Sequence, residues 1–367
     1  MKKKYILAEP VVNSKKVMKL TNKVLSSNFF NEGKFTKLLE RKISSLLKVK
    51  YVVATTSGTI SLFLALKAIG VEENDEVIIP NITFPATANA VILAGAKPVL
   101  VDINTNDLLI DTKSLIKNIN KNTKAIIPVH ISGRGSNIKK IIKIARRKKI
   151  FVIEDAAEAL MSKSNNKYLG TFGDLGCFSF APNKIFTTGQ GGAVVTNNKL
   201  IYEKLYRLKD QGRTRLVKGG NDKYSTTGYN FKFTELQAVL GLAQLSEIKK
   251  RKKILINHYK IYKKYLIRNN NFKLIGFDIK NGEMPLWVDI FCLRRKKLYK
   301  FLSKKGINCR YFWQPLNTLE SYRKSFYNLD NSKKLNGKLM WLPSSLNLKK
   351  DDLVKICNTI NKFYSIK

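Results

Sequence analysis

Histidine, cysteine and acidic residues are scarce in this sequence. Its 367 residues include two histidines, four cysteines and 26 Asp or Glu residues, against 68 Lys or Arg residues. The cysteines lie far apart and form no CxxC pair, so the sequence predicts neither a metal site nor a disulfide framework. A chain without disulfides fits a reducing compartment.

Long apolar runs are also missing. The first ten residues, MKKKYILAEP, have a basic cluster but too few apolar residues before Glu9 for the core of a signal peptide. No segment approaches the roughly 18 consecutive apolar residues that a membrane-spanning helix requires. We therefore expect a cytoplasmic protein with no membrane insertion.

The formal net charge is +42. Such an excess is compatible with nucleic acid, an anionic membrane surface or a phosphorylated substrate as the partner. However, the lysines are spread over the whole length together with many Asn and Ile residues, a bias typical of A+T-rich genomes. This distribution favours a solvated surface over a dedicated polyanion site, and we predict no nucleic-acid partner.

The first half of the chain alternates strand-like and helix-like segments. Hydrophobic residues make up 44% of the chain, which excludes wholesale disorder. The β-branched runs that predict strands are 51–55, 76–80, 98–102, 124–130, 150–155 and 192–196. The segments with helical periodicity are 58–69, 85–94, 112–119, 136–147 and 198–209. Apolar strands separated by helices predict a mostly parallel sheet covered on both faces, an α/β fold.

The pattern changes in the second half. Residues 235–266 predict one long helix, whose first half is apolar and whose second half is basic. After about residue 270, shorter strands such as PLWVDIFC and two helices, near 296–305 and 350–363, predict a smaller α+β domain. We predict a large domain at 1–245, which includes the N-terminal segment, and a small C-terminal domain at 246–367.

Three local patterns suggest a chemistry in the large domain. Ser57-Gly58-Thr59 follows a strand and opens a helix, where free N–H groups can bind a phosphate, although a plain N-cap is the alternative. Asp155 ends an apolar strand at the edge where such sheets bind ligands. Lys184 precedes the glycine-dense segment TTGQGG, and a reactive lysine explains that segment better than a surface charge does.

Taken in order, these motifs resemble the nucleotide-sugar aminotransferases of the DegT/StrS type, which are fold type I pyridoxal 5'-phosphate (PLP) enzymes. The resemblance covers nearly the whole chain, and its strongest stretches are TSGTISLFLALKAIG, NITFPATANAVILAGAKPVLVDI, IEDAAEAL, GDLGCFSFAPNKIFTTGQGG and GYNFKFTELQAVLGLAQL. It implies a three-layer α/β sandwich, PLP as the cofactor, and a homodimer with shared active sites.

The resemblance also implies a role for each candidate residue. Lys184 would bind PLP covalently and then move protons as a base, and Asp155 would keep the pyridine nitrogen protonated. Glu158 would lie near the phenolic oxygen of PLP, and Phe84 would stack on its ring. The phosphate of PLP would be bound by Ser57, Gly58, Thr59, Ser179 and, from the neighbouring subunit, Asn230.

Two positions depart from the pattern of the family. Gln190 stands where the segment usually reads TTGEGG, and Ser132 follows His130-Ile131 where an aromatic residue is usual. Neither departure touches the cofactor chemistry, and both bear on the pocket for the sugar or the amino donor. A dehydratase branch of the family has histidine in place of the lysine, so Lys184 favours transamination.

We therefore expect a PLP-dependent aminotransferase that moves an amino group from L-glutamate to a keto group of a nucleotide-diphospho-keto-sugar. The preferred acceptor is C4 of a 4-keto-6-deoxyhexose, as in the perosamine-synthase-like group, for surface polysaccharide or lipopolysaccharide O-antigen. A 3-keto sugar is the first alternative. A non-catalytic or nucleic-acid-binding homologue on the same scaffold is the alternative from another class.

Overall fold

The computed structural model describes residues 4–135, 137–215, 221–267, 270–322 and 328–365. The helices are α1 (Ser14–Leu25), α2 (Lys34–Leu47), α3 (Gly58–Ala68), α4 (Ala86–Leu93), α5 (Thr112–Asn118), α6 (Ile138–Lys148), α7 (Lys199–Lys209), α8 (Glu235–Leu245), α9 (Ile248–Tyr265), α10 (Arg295–Lys304), α11 (Asp330–Leu335) and α12 (Lys350–Ser365). The strands are β1 (Tyr51–Thr55), β2 (Glu76–Pro80), β3 (Lys97–Val101), β4 (Thr123–Ile126), β5 (Phe151–Asp155), β6 (Lys163–Ser164), β7 (Lys167–Tyr168), β8 (Leu175–Ser179), β9 (Gly192–Thr196), β10 (Arg213–Arg215), β11 (Lys223–Tyr224), β12 (Phe272–Leu274), β13 (Val288–Cys292), β14 (Arg310–Tyr311) and β15 (Leu339–Leu342).

A seven-stranded sheet with the order β1-β9-β8-β5-β4-β2-β3 forms the centre of the large unit. The pairs β2–β3, β2–β4, β4–β5 and β5–β8 are parallel, and only β9 runs antiparallel to its neighbours β1 and β8. The predicted α/β fold with a mostly parallel sheet is confirmed. The six strand-like segments of the sequence all contribute strands to this sheet.

Strand β8 is the member of the sheet that periodicity did not predict. Its sequence, LGCFS, is interrupted by Gly176, which weakens a strand pattern. The structure explains this glycine, because a Cβ at Gly176 would lie 1.9 Å from the carbonyl oxygen of Gly170. Close backbone packing, rather than strand propensity, therefore selects the residue at this position.

Helices cover both faces of the sheet. On β1, Val53 joins the apolar cluster that contains α3 and α4, whereas Val52 and Ala54 join the cluster that contains α2 and α8. On β2, Ile78 packs with Ile138 and other residues of α6. The alternation of side chains along a strand thus places successive residues in opposite helical layers, which gives three layers.

The predicted single helix over 235–266 is wrong in one respect: the structure has two helices, α8 and α9. They are separated at Ser246 and Glu247. Helix α8 packs against α1 and α2 of the large unit, whereas α9 packs against α12 of the C-terminal unit. The helix is interrupted at the point where its packing partners change. A pattern of apolar residues does not show such a change of partners.

The C-terminal unit has its own antiparallel sheet, with the order β12-β13-β15-β14, and its own apolar cluster with α9, α10 and α12. The N-terminal segment also contacts this unit, since Tyr5 pairs with Ile307 and Leu7 O accepts from Ser344 N. The division at 245/246 falls between α8 and α9 and stays a prediction. Among the described residues, no helix has both the length and the apolar content to cross a membrane.

Candidate active site

A cavity of about 450 Å³ lies at the carboxyl ends of β1, β5 and β8. These strands point the same way in the sheet, so the loops that follow them meet at one edge. Eight of the nine residues predicted to bind the cofactor line this cavity: Ser57, Gly58, Thr59, Phe84, Asp155, Glu158, Ser179 and Lys184.

The loop after β1 forms one wall of the cavity. Ser57 is the N-cap of α3, and its side chain accepts a hydrogen bond of 3.2 Å from Ile60 N. The N-cap interpretation of this motif is therefore confirmed, and phosphate binding stays a prediction. The first N–H groups of a helix have no intrahelical acceptor, so those of Gly58 and Thr59 can bind an anion at the positive end of the helix dipole.

The side chains of the two acidic residues at the end of β5 lie in different surroundings. Glu154 is buried and accepts hydrogen bonds from Gly170 N at 2.8 Å and Gly173 N at 2.7 Å, so it holds a loop in place. Asp155 lines the cavity and accepts from Thr87 Oγ1 at 2.8 Å and from Ala157 N at 3.2 Å. Asp155 is thus the carboxylate that can act on a ligand.

Burial raises the pKa of the Asp155 carboxyl group above its ordinary value. The hydrogen bonds from Thr87 and Ala157 and the charge of Lys184 act in the opposite direction, and Glu158 adds to the rise. A buried carboxylate with few compensating charges is poised to pair with a cationic group of a ligand. A protonated pyridine nitrogen is such a group.

Lys184 and Glu158 lie opposite each other in the cavity. Lys184 Nζ donates to Glu158 Oε1 at 3.2 Å, and both side chains are largely buried. Trp287 Nε1 donates to the same oxygen at 3.0 Å, and Ser132 N donates to the other oxygen, Oε2, at 2.8 Å. Lys184 lies in the loop after β8, and its amine points into the cavity, where Glu158 holds it.

Sequence reasoning missed an aromatic wall. All three tryptophans of the chain, Trp287, Trp313 and Trp341, line the cavity together with Arg310, and all four come from the C-terminal half. Arg310 lies over the ring of Trp341, at 5.8 Å from its centroid. The rarity of tryptophan was the available signal, but no spacing connects these residues to the motifs of the large unit.

The other predicted residues take varied positions. Phe84 is half-exposed at the rim of the cavity and packs against Trp313, with 5.8 Å between ring centroids. Gln190 lines the cavity, and its carbonyl oxygen accepts from Gln237. Asn230 is exposed, pairs with Asp210 across a β-bridge and is not among the residues that line the cavity.

These residues fit PLP. A helix N-terminus with Ser57 and Thr59 suits a phosphate, a buried carboxylate suits a pyridinium, and the amine of Lys184 suits an aldehyde. The walls approach closely, since a Cβ at Gly58 would lie 2.8 Å from the Cβ of Ser179. The described residues contain no cluster of His, Cys, Asp and Glu that could hold a metal ion.

Comparisons with known proteins agree with this geometry. The model of the DegT/DnrJ/EryC1/StrS aminotransferase family matches residues 12–361. A GDP-perosamine synthase of Escherichia coli O157:H7 is 34% identical over 355 residues, which cover 94% of this chain and 95% of that protein.

Two further proteins extend the comparison. A UDP-N-acetyl-3-dehydro-alpha-D-glucosamine 3-aminotransferase of Acidithiobacillus ferrooxidans is 37% identical over 227 residues, 62% of this chain and 60% of that protein. The solved structure of PseC from Helicobacter pylori, an aminotransferase involved in the biosynthesis of pseudoaminic acid, superposes with a TM-score of 0.92. It is 27% identical and covers 99% of this chain and 100% of that one.

The match to the family model spans nearly the whole chain, and the structural match includes both units. Aminotransferases of this family are PLP-dependent. The expected cofactor and enzyme class are thereby confirmed. The chain belongs to the DegT/DnrJ/EryC1/StrS aminotransferase family of nucleotide-sugar aminotransferases.

Proposed function

We propose that this aminotransferase transfers the amino group of L-glutamate to C4 of a nucleotide-linked 4-keto-6-deoxyhexose. One observation carries the proposal: Lys184, Asp155 and the N-terminus of α3 converge on one cavity in a chain 34% identical to a GDP-perosamine synthase. The products would be 2-oxoglutarate and a nucleotide-linked 4-amino sugar, a precursor of surface polysaccharide. The reaction would take place in the cytoplasm, where glutamate and nucleotide sugars are both available.

We assign tasks in this reaction to five polar residues of the cavity. PLP, when bound, supplies an electron sink for the carbon that loses a proton. Asp155 would hold the proton on the ring nitrogen, and Lys184 would carry the proton between the substrate carbon and the cofactor carbon. Ser57, Thr59 and Ser179 would bind the phosphate.

The aromatic wall supports a sugar substrate. Flat tryptophan faces pack against the apolar faces of a hexose ring, and a cationic side chain pairs with an anion. Besides Lys184, Arg310 is the only Lys or Arg side chain among the described residues that line the cavity. We assign to Arg310 the anionic groups of the substrates, which are the diphosphate of the sugar nucleotide and a carboxylate of glutamate.

We also propose that the functional unit is a homodimer. Asn230 is absent from the lining of its own cavity, and it lies on the exposed surface. If Asn230 binds the phosphate of PLP, as the family pattern implies, it must belong to the cavity of a second subunit. A closed two-fold dimer would then complete two sites at once.

The amino donor is tested by following the visible absorption of the PLP-loaded protein. L-glutamate should bleach the band, whereas L-aspartate and L-glutamine should not at equal concentration. Bleaching by another donor alone would refute the choice of glutamate.

The acceptor is tested on the bleached protein. GDP-4-keto-6-deoxymannose should restore the band and give a product whose NMR spectrum places nitrogen at C4. A 3-keto sugar is the second candidate, because the relative from Acidithiobacillus ferrooxidans carries the name of a 3-aminotransferase. Restoration of the band by a UDP-linked 3-keto sugar, and not by 4-keto sugars, would favour that candidate. A protein that binds PLP but never responds to any amino donor would support the non-catalytic alternative.

A further inference from the structure

Both oxygens of the Glu158 carboxylate are held by fixed donors. Trp287 Nε1 donates to Oε1 at 3.0 Å, and Ser132 N donates to Oε2 at 2.8 Å. Lys184 Nζ donates to Oε1 at 3.2 Å, so it shares this oxygen with the indole of Trp287. Glu158 is 6% exposed, and water has little access to these bonds.

The donor on Oε2 is itself fixed by the C-terminal unit. Ser132 has a left-handed backbone, with φ at 55°, and its carbonyl oxygen accepts from Leu286 N at 2.9 Å. Its hydroxyl group donates to Asp289 Oδ1 at 2.8 Å. Leu286, Trp287 and Asp289 belong to one short segment, 286–289, which enters β13. This segment therefore reaches Glu158 directly at one oxygen and through Ser132 at the other.

An ion pair anchors the segment behind Glu158. Arg134 pairs with Asp289, and both side chains are almost fully buried. Arg134 Nε also donates to Gly276 O at 2.8 Å, and its guanidinium lies 3.9 Å from the ring centroid of Phe277. A buried ion pair with extra hydrogen bonds fixes one geometry, because either partner alone would be an uncompensated charge.

We propose that segment 286–289 positions Glu158 against Lys184, with Trp287 as the direct positioning residue, and so fixes the hydrogen bond that the Lys184 amine donates in the cavity. This inference rests on the proposed role of Lys184 as the reacting lysine. It assigns to the C-terminal unit a part in preparing the amine, beyond lining the substrate cavity. Trp287 acts by sharing Oε1: its indole N–H withdraws negative charge that would otherwise stabilise the ammonium form.

In the part of the chain that the structure describes, few charged groups face Lys184. Asp155 ends β5, Glu158 follows that strand, and Arg310 on β14 lines the same cavity. Asp289 and Arg134 lie behind Glu158 and compensate each other. Among these groups Glu158 is the one that contacts Lys184. A change at Trp287 therefore acts on the Lys184 amine through Glu158.

The test is the pH profile of Lys184 labelling in the full-length apoprotein. Acetic anhydride is the probe, and peptide mass spectrometry measures the rate at Lys184. Trp287→Phe removes the donor while keeping an aromatic ring, and it should move the midpoint of the profile upward by about half to one pH unit. Glu158→Gln removes the negative charge and should move the midpoint downward.

A matched control is available in the same cavity. Trp341 is also buried, but its Nε1 has no hydrogen-bond partner among the described residues, so Trp341→Phe should leave the Lys184 profile in place. A double-mutant cycle tests the route: in the Glu158→Gln background, the shift caused by Trp287→Phe should largely disappear. An unchanged profile in Trp287→Phe, an equal shift in Trp341→Phe, or a full shift without Glu158 would each overturn the proposal.

A second measurement needs no change at Trp287. The apoprotein labelled with ¹⁵N at the indole nitrogens gives one signal per tryptophan, and the chain has three. Glu158→Gln should move the Trp287 signal, since a hydrogen bond to a carboxylate becomes one to an amide, and should move the Trp341 signal much less, since the Trp341 indole donates no hydrogen bond to Glu158. Equal responses of the two signals would contradict the proposal. Borohydride mapping of PLP to another lysine would instead remove the role of Lys184, so the two failures are distinguishable.

Discussion

Gly58 and Ser179 lie back to back, and a Cβ added to Gly58 would come within 2.8 Å of the Ser179 Cβ and 3.2 Å of its Oγ. Gly58 opens α3 after β1, whereas Ser179 ends β8. Their contact brings a helix N-terminus and a hydroxyl group together at one end of the cavity, where we place the phosphate of PLP. The absence of a side chain at residue 58 is therefore part of the site.

The first prediction concerns Gly58→Ala. The new methyl group must displace Ser179, so we expect PLP affinity to fall at least about tenfold and the stability of the protein to fall by about 1–3 kcal/mol. PLP titration followed by absorbance and urea unfolding measure the two effects. Gly276→Ala is the control, because an added Cβ there meets no atom within 4 Å. Equal effects in the two variants would show that the contact between Gly58 and Ser179 is unimportant.

The second prediction concerns Asp155→Asn in the apoprotein. Burial raises the pKa of Asp155, so the folded protein binds this proton more tightly than the unfolded chain does. The free energy of unfolding therefore falls as the pH rises from the ordinary pKa of an aspartate carboxyl group through the raised pKa of Asp155. The protein stays less stable by this amount at neutral pH. The neutral amide avoids this loss, so the apo variant should melt about 2 °C or more above the parent at pH 7, with less difference at low pH.

The adjacent carboxylate provides a contrast for that prediction. Glu154 accepts from backbone N–H groups, and in Glu154→Gln an amide NH₂ would face one of them, which costs about 1–3 kcal/mol. Stability should thus fall in Glu154→Gln and rise in Asp155→Asn, as measured by calorimetry. In the PLP-loaded protein, Asp155→Asn should slow the half-reaction with glutamate at least about 100-fold. Equal stability and a normal half-reaction in Asp155→Asn would mean that this carboxylate is only structural.

The sequence predicted the part of the site that depends on local pattern. Ser57 caps a helix, Asp155 ends a strand and Lys184 lies in the loop after a strand, and a mostly parallel sheet brings such positions to one edge. The residues from the C-terminal half could not be predicted in this way. Trp287 and Arg310 reach the cavity only because the second unit packs over the first, and no periodicity encodes that packing.

The fold shows the same division between local and non-local information. Strands such as 51–55 and 76–80 were predicted with their bounds, because β-branched runs between helices are a local signal. The break between α8 and α9 and the pairing of Tyr5 with Ile307 depend on residues far apart in the chain. Ser132, identified only as a departure from the family pattern, proved to contact both Glu158 and Asp289.

The third prediction concerns Lys184→Ala. The variant should still bind PLP through the phosphate and ring contacts but lose turnover at least about 10³-fold, since the covalent attachment and the proton carrier are removed together. Borohydride reduction of the PLP-loaded parent, followed by peptide mapping, should place the cofactor on Lys184. Lys199→Ala, which alters an exposed lysine, is the control and should keep full activity. Cofactor found on any other lysine would disprove the assignment.

The last prediction concerns Asn230 and the second subunit. Asn230→Asp would place a carboxylate against the phosphate of PLP in the partner's cavity, and repulsion between like charges should weaken PLP binding. Loss of activity should therefore be greatest at limiting PLP and small at saturating PLP. Asn221→Asp, the same change at an exposed asparagine just before β11, serves as the control and should bind PLP as the parent does.

Subunit mixing separates a shared site from a structural role of Asn230. At limiting PLP, Asn230→Asp and Lys184→Ala should each be inactive as homodimers. In a mixed dimer, one cavity would combine the altered lysine with the altered asparagine, and the other cavity would contain neither change. Mixtures under subunit exchange should therefore recover up to about a quarter of the parent activity, because half of the dimers are mixed and half of their sites are intact. Two results would show that Asn230 has only a structural role in its own subunit. One is an active monomer in sedimentation, and the other is no recovery of activity although mass spectrometry shows that subunits exchange.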